Sequence, residues 1–319
     1  MEPREEEKKR RQKARFKSAL KRNAFGWALM LVPLALFAFF VWVPMIRNFV
    51  LSFQDNYFDQ NFVGFANFQA IFADGTFLKA VGNTFLYILF SIIIGYLVPV
   101  FLGFLLSEVF HLKGLFRVLL YLPCMISGIA VVFLFSTMYG DSSTDLFNVI
   151  AKAFGGEAHP WKGSTSLIIP LIVLAMTWRG AGSTALIYLS SFQSVDDSMY
   201  EAARIDGATP WQRFIKITAP SLKATLITLF VLQIISVFQV FYEPLVIGPK
   251  GGPLDSSMSL LLLSYLYAFE DFEHGKSAAV AIVLVLIIAL FTFAYRLLLR
   301  LLDDNSKKKR PKKKEGQSK

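Results

Sequence analysis

Six long apolar runs, each set off from the next by a polar segment, decide what this chain can become. They cover residues 24–46, 83–106, 115–139, 167–192, 222–247 and 277–301. Each meets the roughly 20 residues needed to cross a hydrocarbon core. In lipid, backbone N–H and C=O groups must pair within the protein, so each run is expected to be a helix. The predicted fold class is all-α integral membrane, with six transmembrane helices. A mean hydropathy of +0.50 excludes an ordinary soluble domain. The first run has no small-residue cleavage site behind a short apolar core. It is read as a retained span and not as a signal peptide.

Lysine and arginine set the expected orientation. With both termini cytoplasmic, twenty-six of these residues fall inside and six outside, with Arg179 in the fourth run. Cytoplasmic segments carry the excess of positive charge, so both ends are expected inside. This divides the chain into a basic cytoplasmic tail (1–23), a membrane domain (24–302) and a basic, disordered cytoplasmic tail (303–319). The N-terminal tail suits a basic helix lying on the membrane before the first span. The C-terminal run from Lys307 to Lys314 suits anionic lipid, with about 1 kcal/mol per charge near the surface. No aromatics interleave with those charges, so nucleic acid is not an expected partner.

No catalytic machinery is visible. There is no phosphate loop of the Gly-x4-Gly-Lys-Ser/Thr kind and no metalloprotease or serine-hydrolase motif. The pairs Asp196-Asp197, Glu270-Asp271 and Asp303-Asp304 lie near span ends, where charge is ordinary. Cys124 is the single cysteine, and His111, His159 and His274 are far apart in predicted loops. Neither a disulfide framework nor a metal site is expected.

The stretch from Tyr200 to Pro220, within the segment 196–220, has the strongest local grammar among the inside loops. Ser198 and Glu201 have capping-box spacing, so a helix is expected to begin at Ser198. Gly207 suits its left-handed stop. Thr209 and Pro210 restart a second helix, and Pro220 marks the next boundary. Ala202 and Ala203 give the first helix a slim side. Trp211, Phe214 and Ile215 give the second an apolar side for the membrane domain.

Glu201-Ala202-Ala203, Asp206-Gly207-Ala208, Ile217 and Pro220 together resemble the EAA loop of bacterial ABC importer permeases. The wider chain, from about residue 25 to 300, is similar to the inner-membrane permeases of carbohydrate importers. It carries Gly64-Phe65-Ala66-Asn67-Phe68 with Asn83-Thr84, then Trp178-Arg179-Gly180, then Gly251-Gly252-Pro253 with Tyr265 and Tyr267. One departure is Ala219, where the family usually has leucine; it weakens a packing contact.

The resemblance implies a type I ABC importer permease bundle in a bacterial cell membrane. It makes Tyr200, Glu201, Ala202, Ala203, Asp206, Gly207, Ala208 and Pro220 the ATPase-coupling residues. It also implies a second homologous permease, an ABC ATPase dimer and an extracytoplasmic solute-binding protein. The chain itself would bind no cofactor; ATP and Mg would sit on the partner ATPase subunits. The capping and coupling roles of Glu201 are compatible.

Polar groups inside the runs are the candidates for a substrate pathway. A charge at a helix centre costs roughly 2.5–3.5 kcal/mol on insertion scales, so Arg179 needs a partner or water. It either lines or gates a cavity, or pairs with a neighbouring helix through a group such as Glu243. In the fifth run Gln233, Ser236, Gln239, Tyr242 and Glu243 recur on one slowly drifting helix face. They either offer amides and hydroxyls to a sugar, with Tyr242 or Phe238 stacking on its ring, or bind helix to helix. Asn83, Tyr87 and Ser91 form a similar stripe in the second run. Gly95, Gly103 and Gly128 are expected at close helix packing, and the stretch Leu260 to Tyr267 as a short helix packed on protein.

The favoured function is import of a sugar or oligosaccharide delivered by a binding protein. The same importer class with a non-sugar solute remains open. A stand-alone secondary transporter would be expected to show internal repeats or a row of intramembrane carboxylates, and neither is clear. An intramembrane enzyme lacks a nucleophile–base pair.

Overall fold

A computed structural model describes residues 2–109 and 111–308. Among these, five helices are long and apolar enough to cross a membrane: Phe16–Leu51, Gly75–Glu108, Ile168–Phe192, Lys223–Val246 and His274–Leu297. They are called spans one, two, four, five and six. The third run is two helices, Lys113–Met125 and Gly128–Met138, meeting at 91°. One straight crossing was expected there. Pro123 explains the difference: it has no N–H to donate and its ring disturbs the preceding turn, so the helix ends soon after it. Ile126 and Ser127 are extended, and Gly128 opens the second arm.

Prolines also account for three wide, π-type turns. These cover Ala38–Trp42, Ser91–Tyr96 and Phe214–Thr218, just ahead of Pro44, Pro99 and Pro220. Each proline leaves an upstream carbonyl without its helical donor, and the ladder widens there.

The N-terminal segment enters span one without interruption, because one helix runs from Glu2 to Phe37. No separate surface helix precedes it. The last helix continues to Lys308, so residues 303–308 are helical; the remainder of the basic C-terminal tail, 309–319, lies outside the described residues.

Three apolar clusters hold the bundle. One joins spans two, five and six to the helix Leu260–Phe269 through Phe77, Ile234, Phe238, Leu262 and Val280. That helix is buried along much of its length, as expected for a short helix packed on protein. A second joins span four to the arm Gly128–Met138 through Ile172, Val132 and Phe135. A third, with Phe104, Tyr188, Phe192 and Leu222, closes the end nearest the loop 196–220. The described apolar side chains of span one lie almost entirely on the surface.

Glycines set the closest approaches. A Cβ on Gly182 would lie 1.7 Å from the Leu120 carbonyl oxygen, so the helix Lys113–Met125 and span four touch backbone to backbone. A Cβ on Gly103 would meet Tyr188 Cβ at 2.9 Å, and one on Gly95 would meet Gln233 Nε2 at 2.8 Å.

Candidate functional site

Two regions collect the residues singled out from sequence. The first is the loop 196–220. Its first helix is Asp197–Ile205, and its cap is Asp196: the Ser198 N–H donates to Asp196 Oδ1 at 2.9 Å. The Ser198–Glu201 capping box is therefore not formed. Ser198 already lies in the first turn, and its amide is taken by the aspartate two residues earlier, an equally good capping residue. The helix ends as expected at Gly207, with φ +75°. Ala208 N–H donates to Ala203 O at 2.9 Å and Gly207 N–H to Arg204 O at 3.1 Å. This double closure needs the left-handed residue that glycine supplies. The second helix opens on a true capping box between Thr209 and Gln212, with Pro210 in its first turn.

The loop is fastened to the membrane domain at two points. Trp211 and Phe214 both pack on Phe104, at ring distances of 5.9 and 5.0 Å. Arg213 Nη2 donates to Glu108 Oε2 at 2.8 Å. Within the loop, Tyr200 and Thr218 share a hydroxyl hydrogen bond of 2.8 Å that ties its first helix to its end. Ile215 stays half exposed and takes no part in the ring packing. Between the helices and the bundle lies a cleft of about 550 Å³, lined in part by Lys113, Tyr200, Glu201, Arg204 and Arg213. Glu201, Ala202, Asp206 and Pro220 are exposed, and Ala203 and Ala208 are half-buried. Ile205 is 88% exposed, an apolar knob on a polar loop that the sequence reading passed over.

The second region is a cavity of about 530 Å³ between spans two, four and five. Arg179, Gln233, Ser236, Gln239, Tyr242 and Glu243 all line it. Gln233 Nε2 donates to Ser91 Oγ at 2.7 Å, across to span two. Gln239 Nε2 donates to Ile235 O one turn back, at 3.3 Å. Arg179 Nε donates to the Ile126 carbonyl, at 3.4 Å, in the break of the third run. Phe238 is buried in the apolar core, and Phe241 takes its place on the wall.

Asn83 and Tyr87 lie away from this cavity. Asn83 Nδ2 donates to Asp255 O at 2.7 Å and to Met258 O at 3.0 Å, and Tyr87 O–H donates to Ser257 O at 3.0 Å. Their stripe clamps the turn between spans five and six; only Ser91, its last member, reaches the cavity. The turn needs clamping. Lys250, Leu254 and Asp255 all have φ between 53° and 57°, a left-handed conformation that is costly without glycine.

Two other loops use the same device. Asn67 Nδ2 donates to Ser52 O and Gln54 O at 3.0 and 2.7 Å. Asn148, fully buried, donates to the carbonyls of Gly140, Ser142 and His159 and accepts from His159 N and Trp161 Nε1. The sequence offers no signal for the Asn148 hub. Tyr267 O–H donates to Asp74, the capping residue at the start of span two.

Residues 92–305 match the family profile of the binding-protein-dependent transport system inner membrane component. The chain belongs to that family. It is 33% identical over 263 residues to the probable ABC transporter permease protein YurN of Bacillus subtilis, covering 79% of this chain and 88% of that one. It is 31% identical to the lactose transport system permease protein LacF of Rhizobium radiobacter, over 79% of this chain and 87% of that one. The diacetylchitobiose uptake system permease protein NgcF of Streptomyces coelicolor is 28% identical over 93% of this chain and 89% of its own. A crystal structure of a bacterial ABC transporter that imports the acidic polysaccharide alginate shares the fold, with TM-score 0.77 at 24% identity. The match covers 88% of this chain and 98% of that one. The protein is thus a multi-pass membrane permease subunit of an ABC importer and not an enzyme.

Proposed function

We propose that this permease carries a sugar or oligosaccharide, handed over by an extracytoplasmic binding protein, through the cavity between spans two, four and five. The observation that carries the reading is the cavity lining. Gln233, Ser236, Gln239 and Tyr242 present amides and hydroxyls, which suit a neutral, hydroxyl-rich solute. Arg179 and Glu243 bring one charge of each sign, which leaves no net charge to select an ion. Permeases named for lactose and diacetylchitobiose among the relatives support the same solute class. Asn83 and Tyr87 serve the pathway indirectly, by holding the outer turn.

Force enters from the other end. A separate ABC ATPase dimer, holding ATP and Mg, docks on the loop 196–220 from the cytoplasm, where both termini also lie. Glu201 and Ala202 with the exposed Ile205 form the contact face, while Gly207 sets the bend between its helices. Tyr200, Ala203, Asp206, Ala208 and Pro220 hold that shape. A second, homologous permease completes the pore, and rigid-body motion of the two halves alternates access to the cavity.

The test is ATP-driven uptake by the assembled importer in proteoliposomes, with the ligand first identified on the cognate binding protein. Glu201→Lys and Gly207→Pro should abolish uptake; proline cannot adopt φ +75°. Gln233→Leu should raise KM for the solute. Normal uptake by all three variants, or a cognate ligand that is not a carbohydrate, would defeat the proposal. A free anion with affinity for Arg179 is the rival solute.

A further inference from the structure

Among the described residues, the third run is the one long apolar segment that folds back at an angle of 91°. At such a break the backbone leaves its own ladder. The Ile126 carbonyl lies between the helices, and the first bond of the second arm starts one residue later, from Val131 N to Ser127 O. Ser127 makes no capping bond with its side chain. A carbonyl in that position has no helical donor, and within a membrane domain an unpaired one is costly. The donor comes from span four: Arg179 Nε, at 3.4 Å.

The approach is built for this contact. A Cβ placed on Gly128 would meet Arg179 Cζ at 3.4 Å and Nη2 at 3.6 Å, so the guanidinium lies against the first residue of the second arm. One residue earlier, Trp178 packs on Phe135 of that same arm, at 5.5 Å. Three residues later, Gly182 presses on Leu120 of the first arm. Positions 178, 179 and 182 share one face of span four. That face touches the arm beyond the break, the break itself and the arm before it.

We propose that Arg179 is a positioning residue that holds the third run bent, by supplying the Ile126 carbonyl with the donor it loses at the break. It thereby fixes one wall of the cavity it also lines. This role concerns the shape of the pathway and does not depend on which solute passes. The competing role, a charge partner for Glu243, would make the bend indifferent to the carbonyl contact.

The two roles separate in a distance measurement across the break. In a Cys124→Ser background, nitroxides at Phe116→Cys and Thr137→Cys report on the two arms; both positions are exposed. At about 1.5 Å of rise per residue, each arm from label to break is about 15 Å long. Arms meeting at 91° place the labelled backbones roughly 21 Å apart, against roughly 32 Å for a straight helix. The measurement is made on the assembled importer in lipid nanodiscs by double electron–electron resonance.

Arg179→Met should lengthen or broaden the distance distribution toward the straight limit. Arg179→Lys, which keeps a donor and the charge, should stay nearer the parent distance than Arg179→Met does. Glu243→Gln should leave the distance where it is. An unchanged distribution in Arg179→Met would overturn the proposal, as would an equal shift in Glu243→Gln. If Arg179→Met does not assemble, Gly128→Val decides, because its methyl groups would push the guanidinium off the carbonyl. A longer distance in that variant supports the role and an unaltered one refutes it. No uptake is needed for the readout, so a wrong solute assignment leaves this result standing.

Discussion

Arg213 and Glu108 form a charged hydrogen bond of 2.8 Å that ties the second helix of the loop 196–220 to the last residue of span two. The Arg213 side chain is 10% exposed and that of Glu108 32%. Loss of one partner should cost more than the ~1 kcal/mol of a surface pair and less than the ~3–5 kcal/mol of a fully buried one. Glu108→Gln is expected to lower thermal stability of the assembled permease and to reduce uptake per ATP hydrolysed. The double exchange Glu108→Arg with Arg213→Glu should recover part of both. Equal coupling ratios in parent and Glu108→Gln would show that this bond transmits nothing.

Contact between the helix Lys113–Met125 and span four rests on a missing side chain. Gly182→Ala would drive a methyl group into the Leu120 carbonyl, with 1.7 Å between them, and backbone cannot rotate away as a side chain can. Overpacking of a core costs typically ~1–3 kcal/mol, and this site should reach the upper end. Gly180→Ala is the matched control, since nothing lies within 4 Å of its Cβ position. Detergent melting curves that treat the two alanines alike would refute the close contact.

The strained turn between spans five and six depends on span two. Asn83→Leu removes the side-chain donor to Asp255 O and Met258 O; Asp255 O keeps the Met258 N–H, and the buried Met258 carbonyl deprived of the amide costs about 1–3 kcal/mol. Hydrogen exchange at residues 250–258 should accelerate, while exchange in span four stays as it was. Unaltered protection of that turn would mean that it holds its left-handed residues without the clamp.

Acid should loosen the first helix of the loop. The Asp196 carboxyl titrates below the usual aspartate range, because it accepts from the Ser198 backbone N–H and then from the Ser198 hydroxyl. A depressed folded-state value means that the stabilisation is complete above the ordinary aspartate pKa. It is lost as pH falls through the lowered one. Protection factors of the Ser198 and Met199 amides should therefore be flat near neutrality and drop in acid. Asp196→Asn still caps, so it should abolish the pH dependence while keeping most of the protection. A drop of the same size in Asp196→Asn would assign the effect to another group.

Much of this protein was legible in one dimension. Hydropathy over twenty-residue windows marked the spans, because lipid imposes the same demand on every backbone group that enters it. Gly207 and the Thr209 cap were legible because caps act over three or four residues. Helix periodicity put Gln233, Ser236, Gln239 and Glu243 on one face and marked Arg179 as an isolated charge, while their meeting around one cavity came from the packing of spans four and five. Only the tertiary structure could decide the rest. Asp196 took the cap expected of Ser198, since two capping residues two positions apart compete and the path of the incoming chain selects one. Asn83 and Tyr87 shared a face with Ser91, yet they turned to a loop more than 150 residues away. Arg213 met Glu108 across 105 positions, and Arg179 met a carbonyl freed by a bend 53 residues upstream. Periodicity says which side chains share a face; what that face meets depends on how distant segments pack, and no local pattern encodes it.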